Sequence, residues 1–201
     1  MPQLPERAVR DFADTYVASR ADLDPMLATM LGLDSGAQGL PDLSPAGYQA
    51  QDELARRTLA ELSRLTRAAP LATGAERRCA RLLRERLETA LAVSATGEQL
   101  RAVRTILGPV QELRMMFTMM PAGSEADWSA IAKRMALVPQ ALAGYAASLR
   151  EGMARGLLAP SRQVVAFTAQ LQDWGTAGDG RGWFAQFCAA AQVPQSLRAE
   201  L

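Results

Sequence analysis

No histidine and no asparagine occur anywhere in these 201 residues, and Lys133 is the single lysine. The missing imidazole excludes Ser-His and Cys-His catalysis and the usual catalytic zinc sites. It also removes the one side chain that ordinarily titrates near neutral pH. Aromatic residues make up only 5%, while alanine and leucine fill the apolar quota; that composition favours close-packed helices over sheets. The two cysteines, Cys79 and Cys188, are far apart in helix-like apolar settings, and they read as two buried free thiols, not a disulfide. No apolar stretch approaches the roughly 20 residues that a membrane helix requires. The start, MPQLPERAVRDFADTYV, has neither the basic beginning nor the apolar run of a signal peptide. A cytoplasmic location follows as the expectation. A formal net charge of +1 supplies no field to steer nucleic acid or an anionic membrane, so neither is expected as a partner.

What is present is a helical pattern. Apolar residues are 49% and charged residues 21% of the chain, enough for one sizeable core. Between Ser124 and Gly156 the large apolar residues fall at Trp128, Ile131, Met135, Val138, Leu142, Tyr145 and Leu149. Steps of three and four place them on one helical face. Pro139 interrupts the run without shifting its phase, so the stretch reads as one helix kinked at Pro139 or as two helices meeting at Val138-Pro139. Ser124 with Asp127 has N-terminal capping spacing, and Gly156 is a stop signal.

The remaining segments repeat these signals. A first helix is expected from about Pro5 to Arg20, with Val9, Phe12, Ala13, Tyr16 and Val17 inward. Asp24-Pro25 and Ser44-Pro45 each read as a cap followed by a first-turn proline, with a loop from Gly32 to Gly39 between the helices they open. The second of these helices runs to about Arg67 with Tyr48, Ala55, Leu59 and Leu62 on one side. Thr73 with Glu76 predicts a capping box for a helix through Cys79, Leu83, Leu87 and Leu91. That helix's outer face carries Arg77, Arg78, Arg81, Arg84, Glu85, Arg86 and Glu88, which reads as a solvated, salt-bridged surface. Gly108-Pro109 opens a helix with Val110, Leu113, Phe117 and Met120 inward. Pro160 or Ser161 opens another with Val164, Phe167, Leu171 and Trp174 inward. Beyond a glycine-rich connection from Gly175 to Gly182, Trp183, Phe184, Phe187 and Cys188 form an apolar helix, and Val193-Pro194 starts a last one. The fold expected is all-α, a multi-helix bundle of about nine or ten helices in a single domain spanning residues 1–201.

Little in the inventory supports catalysis. Glu85 and Glu88 are spaced three apart among arginines, and Lys133 lies off the apolar stripe and reads as exposed. No catalytic, cofactor-binding or metal-ligating residue is assigned. The feature with most binding potential is the group Met115, Met116, Met119 and Met120. Methionine-rich surfaces adapt to partners, yet four so close together on a short helix also fit a helix buried on several sides.

Two stretches, LDPMLATMLG with LPDLSPAG (residues 23–32 and 40–47) and the run from Gly108 to Val165, resemble the bacterial family catalogued as domain of unknown function 885. The resemblance keeps the order of the segments and covers nearly the whole chain. It implies a mainly helical protein related to zinc-dependent peptidases, whose metal motif is a His-Glu pair followed by Pro-Gly-His-His. That motif lies downstream of the matched region in the family and has no counterpart here, so no ligand or catalytic residue carries over. The expectation is a non-catalytic, N-terminal scaffold portion of a longer metallopeptidase-like protein. Zinc and peptide substrate would belong to the full protein, and the partner would be the missing catalytic half or a second copy. The alternative is a stand-alone helical interaction module that binds a protein or apolar ligand through its Met-rich region.

Overall fold

The computed structural model describes residues 6–33, 39–68, 70–71, 73–175 and 182–190. Their regular structure is all helical: α1 (Ala8–Leu23), α2 (Pro25–Met30), α3 (Pro45–Ala68), α4 (Gly74–Ala95), a 3-10 turn (Glu98–Arg101), α5 (Pro109–Met119), α6 (Glu125–Met135), α7 (Val138–Ala154), α8 (Ser161–Gly175) and α9 (Trp183–Ala189). The all-α expectation holds. The count of nine or ten runs slightly high once segments as short as α2 and α9 are set aside. The helix expected from Val193 and most of the two glycine-bearing loops lie outside the described residues.

Two apolar clusters organise these helices. In one, α1, α3 and α4 surround Val9, Ala55, Leu62, Ala80, Leu83 and Leu87. In the other, α5, α6 and α7 contribute Val110, Leu113, Phe117, Trp128, Ile131 and Tyr145, joined by Met26 of α2 and Phe167 of α8. The few aromatic residues are concentrated in this second cluster. Phe187 stacks on Trp183 with centroids 5.0 Å apart and tilts against Trp128 at 5.4 Å, while Phe184 meets Phe117 edge-on at 5.7 Å. Such pairs add about 0.5–1.5 kcal/mol each beyond the area they bury, which helps a seven-residue helix such as α9 hold its place.

The local start signals work as the sequence suggests. The Asp24 carboxylate accepts the Leu27 N–H at 3.2 Å, and the Ser124–Asp127 capping box is closed in both directions. The central stretch is two helices, not one helix kinked at Pro139. The break falls earlier, at Ala136 and Leu137, and Pro139 sits in the first turn of α7, where its missing N–H has no helical acceptor to lose.

Several side chains placed inward by periodicity are at the surface: Val17, Leu142, Val164 and Leu171 are exposed. All lie at the edge of an apolar stripe, where a small error in phase turns a residue outward. On α7 the buried face is instead Ala141, Tyr145, Ser148 and Gly152. Ser148 Oγ donates to the Leu43 carbonyl at 2.7 Å, and Tyr145 donates to the Ala102 carbonyl at 2.9 Å. Gly152 packs so closely on the 3-10 turn that an added Cβ would overlap the Leu100 carbonyl. Small residues on this face let backbone approach backbone.

Three further expectations need correction. Glu76 accepts no reciprocal capping bond from Thr73; its carboxylate reaches α1. Cys79 and Cys188 are free, but both are half-buried, not buried. The arginines on the outer face of α4 are solvated, yet the one ion pair among that face's described residues is Arg86 with its neighbour Glu85 at 3.5 Å. Lys133 is exposed, as read.

Arg134 departs most from the rule that charge stays outside. It is fully buried on α6, where Nη1 donates to Met116 Sδ at 3.2 Å and Nη2 to the Pro25 carbonyl at 3.3 Å. It thereby joins α6 to α5 and α2, and burial pushes its guanidinium below the ordinary value.

Candidate functional site

The four methionines do not act together. Met116 is 3% exposed and Met120 is also buried, both within the α5–α7 core, whereas Met119 is 46% exposed and Met115 is exposed beside it. One α5 turn therefore contributes alternately to core and surface. Met115 and Met119 line a groove of about 240 Å³ whose opposite wall is Met26, Leu27 and Met30 of α2. Met116 also lines it from its floor. Asp24, Thr29 and Glu112 also line it; its other walls are apolar and, through methionine, adaptable.

A second and more polar cleft of about 500 Å³ adjoins the groove. Tyr16 and Arg20 enter it from α1, Tyr48, Gln51 and Asp52 from α3, Ser94 from α4, Glu98 from the 3-10 turn and Glu112 from α5. Its size is typical of small-molecule sites. Leu107 and Glu112 line both hollows, so the groove and the cleft meet at these two residues.

Leu107 has a left-handed backbone, with φ of +51°. For a leucine this costs about 1–2 kcal/mol, and its side chain is 64% exposed, so burial does not offset the cost. The loop is held there by amides: Gln111 Nε2 donates to the Arg104 carbonyl at 2.6 Å and to Gln170 Oε1 at 2.7 Å, and Gln170 Nε2 donates to the Thr105 carbonyl at 3.2 Å. Gly108 follows because an added Cβ would come within 2.6 Å of Gln111 Oε1. Ile106, 77% exposed, stands beside Leu107. Leu107, Met30, Met115 and Met119 form a shelf of exposed apolar side chains lining the groove, and the exposed Leu31 follows Met30 in the chain.

Most charges lining the cleft are matched. Arg20 Nη1 lies 3.2 Å from Asp24 Oδ2, Arg104 Nη2 is 3.1 Å from Glu98 Oε1, and Asp52 Oδ2 accepts from Ser94 Oγ at 2.7 Å and from Arg56. Glu112 differs. No hydrogen bond contributes to its electrostatics: burial and the nearby Asp24 push its carboxyl above the usual range, and Arg104 only partly opposes them. Burial likewise raises the phenol of Tyr48 to about 12, with Glu112, Asp24 and Asp42 adding to the shift. Sequence reading passed over Glu112. The available signal was an acidic residue in the first turn of an otherwise apolar helix, which reads equally as a helix-dipole partner.

The residues present do not fit a zinc centre. There is no histidine, Cys79 lies on α4 and Cys188 on α9 beside Met135, and no group of three His, Cys, Asp or Glu able to hold a metal ion converges among the described residues. No helix among the described residues is long and apolar enough to cross a membrane. No curated protein matches the chain. Residues 25–201 match the family described as bacterial protein of unknown function (DUF885), and since the match takes in all but the first helix, the chain belongs to that family.

Proposed function

We propose that this chain is the non-catalytic helical scaffold of a zinc-peptidase-like protein, and that the shelf around the Met115–Met119 groove is where the metal-bearing part of that protein packs. The observation that carries the reading is the shelf itself. Met30, Leu107, Met115 and Met119 bring four large exposed apolar side chains to one groove, and contiguous exposed apolar area marks a contact surface. The peptidase-like context rests on the sequence resemblance noted above, and the absence of a metal-competent group among the described residues agrees with placing the chemistry elsewhere. The chain's contribution would be to form one wall of a peptide cleft and to hold it rigid through the Arg134 and Gln111 contacts.

The test is the intact mass of the protein made from its native gene in its own host. A mass well above 21.6 kDa, with a metal motif in the additional sequence, is the expected result. A product of 21.6 kDa overturns the reading and favours a stand-alone module that binds a protein or apolar ligand through the same groove.

A further inference from the structure

The junction of the two hollows has a composition that neither has alone. The groove supplies mainly methionine and leucine side chains, with Thr29 and the Arg20-paired Asp24 among them, and where it meets the cleft Leu107 and Glu112 line both. Beyond Glu112 the space widens into the cleft with the rings of Tyr16 and Tyr48 in its wall. The other charged groups lining the cleft, Arg20, Asp52, Glu98 and Arg104, are each engaged in an ion pair, whereas Glu112 is half-buried without one. A ligand complementary to this arrangement has an aliphatic stem that ends in a cationic head. The stem covers apolar surface and the head compensates the carboxylate, as lysine side chains do when they run along apolar surface to reach a polar partner. A metal ion fits less well, because no further carboxylates converge with Glu112 into a ligand set among the described residues.

We propose that the Leu107–Glu112 junction is a binding site for an alkylammonium group, with the stem on Leu107, Met115 and Met119 and the ammonium at the Glu112 carboxylate. Two sources share this chemistry, a lysine side chain of a peptide and a free aliphatic diamine. The site shares Leu107, Met115 and Met119 with the packing surface proposed above, so it rests on the groove between α2 and α5 staying open to a ligand there.

Binding is measured by titration calorimetry on the 201-residue chain with three probes: 1,5-diaminopentane, the blocked tripeptide acetyl-Ala-Lys-Ala-amide, and its norleucine counterpart, which keeps the stem and lacks the charge. Saturable binding of the diamine or the lysine peptide, at least tenfold tighter than the norleucine peptide, is expected; whichever of the two binds tighter identifies the source. Glu112→Gln keeps the shape and removes the charge, so it should weaken the cationic probes by tenfold or more and leave the norleucine peptide unchanged. Binding should also weaken as the pH falls, because proton and ammonium compete for one carboxylate; Asp24, Asp42, Asp52, Glu98, Arg20, Arg104 and Tyr48 are the other ionisable groups facing it. Equal affinity of Glu112→Gln and wild type for the lysine peptide overturns the proposal. So does equal binding of lysine and norleucine peptides, or no saturable binding of any probe up to about 10 mM, where one weak ion pair would still register.

Discussion

Glu76 completes the N-terminus of a helix that lies 67 positions before it: its Oε2 accepts the Val9 N–H at 2.6 Å. The same oxygen accepts the Arg10 N–H at 3.4 Å, and Oε1 receives the Arg10 guanidinium. The first N–H groups of an α-helix have no partners within it, and α1 begins without a side-chain cap of its own. A buried carboxylate supplied by the first turn of α4 takes that place and draws the two helices together. Glu76 is 1% exposed. Burial alone would raise its carboxyl, but the bonds from Arg10 and the two backbone N–H groups outweigh it and hold the group below the usual range.

Glu76→Gln should therefore destabilise the fold by on the order of 2 kcal/mol at neutral pH, the scale of a hydrogen-bonded charge lost from a buried site. The pH dependence follows from the sign of the shift. A carboxyl held lower in the folded state contributes fully above its ordinary value of 4.5 and loses that contribution as pH falls through the folded value. Thermal melts of wild type and variant should differ most at neutral pH, begin to approach each other as pH falls below about 4.5, and converge only below the lower folded-state value. A constant difference across that range would assign the role of Glu76 to packing.

Contacts of this kind explain what sequence conveys and what it does not. Asp24 and Ser124 were legible as caps because cap and acceptor lie three residues apart and the signal is local. Glu76 had the same spacing from Thr73, and only the approach of α1 diverts it. Arg134 could not be read as core, since periodicity treats any charge as surface. The small-residue face of α7 was readable in principle from Gly144, Ser148 and Gly152, four apart, but the larger apolar residues beside it drew the stripe toward Leu142. The cleft was not legible at all: Tyr16, Tyr48 and Glu112 come from three helices, and each looks solitary until they fold together.

Gly152→Ala gives a test of that small-residue face with an unusual sign. In a helix interior the change from glycine to alanine ordinarily stabilises by about 1 kcal/mol. Here the methyl would overlap the Leu100 carbonyl, backbone that cannot rotate away, and overpacking of this sort costs about 1–3 kcal/mol. A lower melting temperature is expected. A higher one would mean that the 3-10 turn yields.

The split among the methionines is measurable in the same way. Met116→Ser should cost about 2–4 kcal/mol, because it opens a void under Arg134 and removes a buried thioether. The double change Met115→Ser with Met119→Ser should leave the melting temperature nearly unchanged, since both side chains are exposed. It should lower the binding of a hydrophobic dye and any self-association seen by light scattering. Equal stability losses in the two variants would place all four methionines in the core.

Leu107→Gly separates a strained position from a merely exposed one. Glycine in an α-helix or strand loses stability to leucine, but at φ of +51° the leucine bears the left-handed penalty, about 1–2 kcal/mol, and glycine does not. Against that gain stands the backbone entropy that glycine gives up on folding, about 0.5–1 kcal/mol. The net change should be between zero and a small stabilisation, visible as a melting temperature equal to or slightly above wild type. Leu107 lines both hollows, so the same substitution should weaken whatever occupies the groove. Stability kept while binding falls would identify the strain as a cost of holding that side chain in place for a ligand or partner, a pattern common to functional loops. A clear loss of stability would instead assign Leu107 a structural role, with its exposed side chain still contributing to the fold.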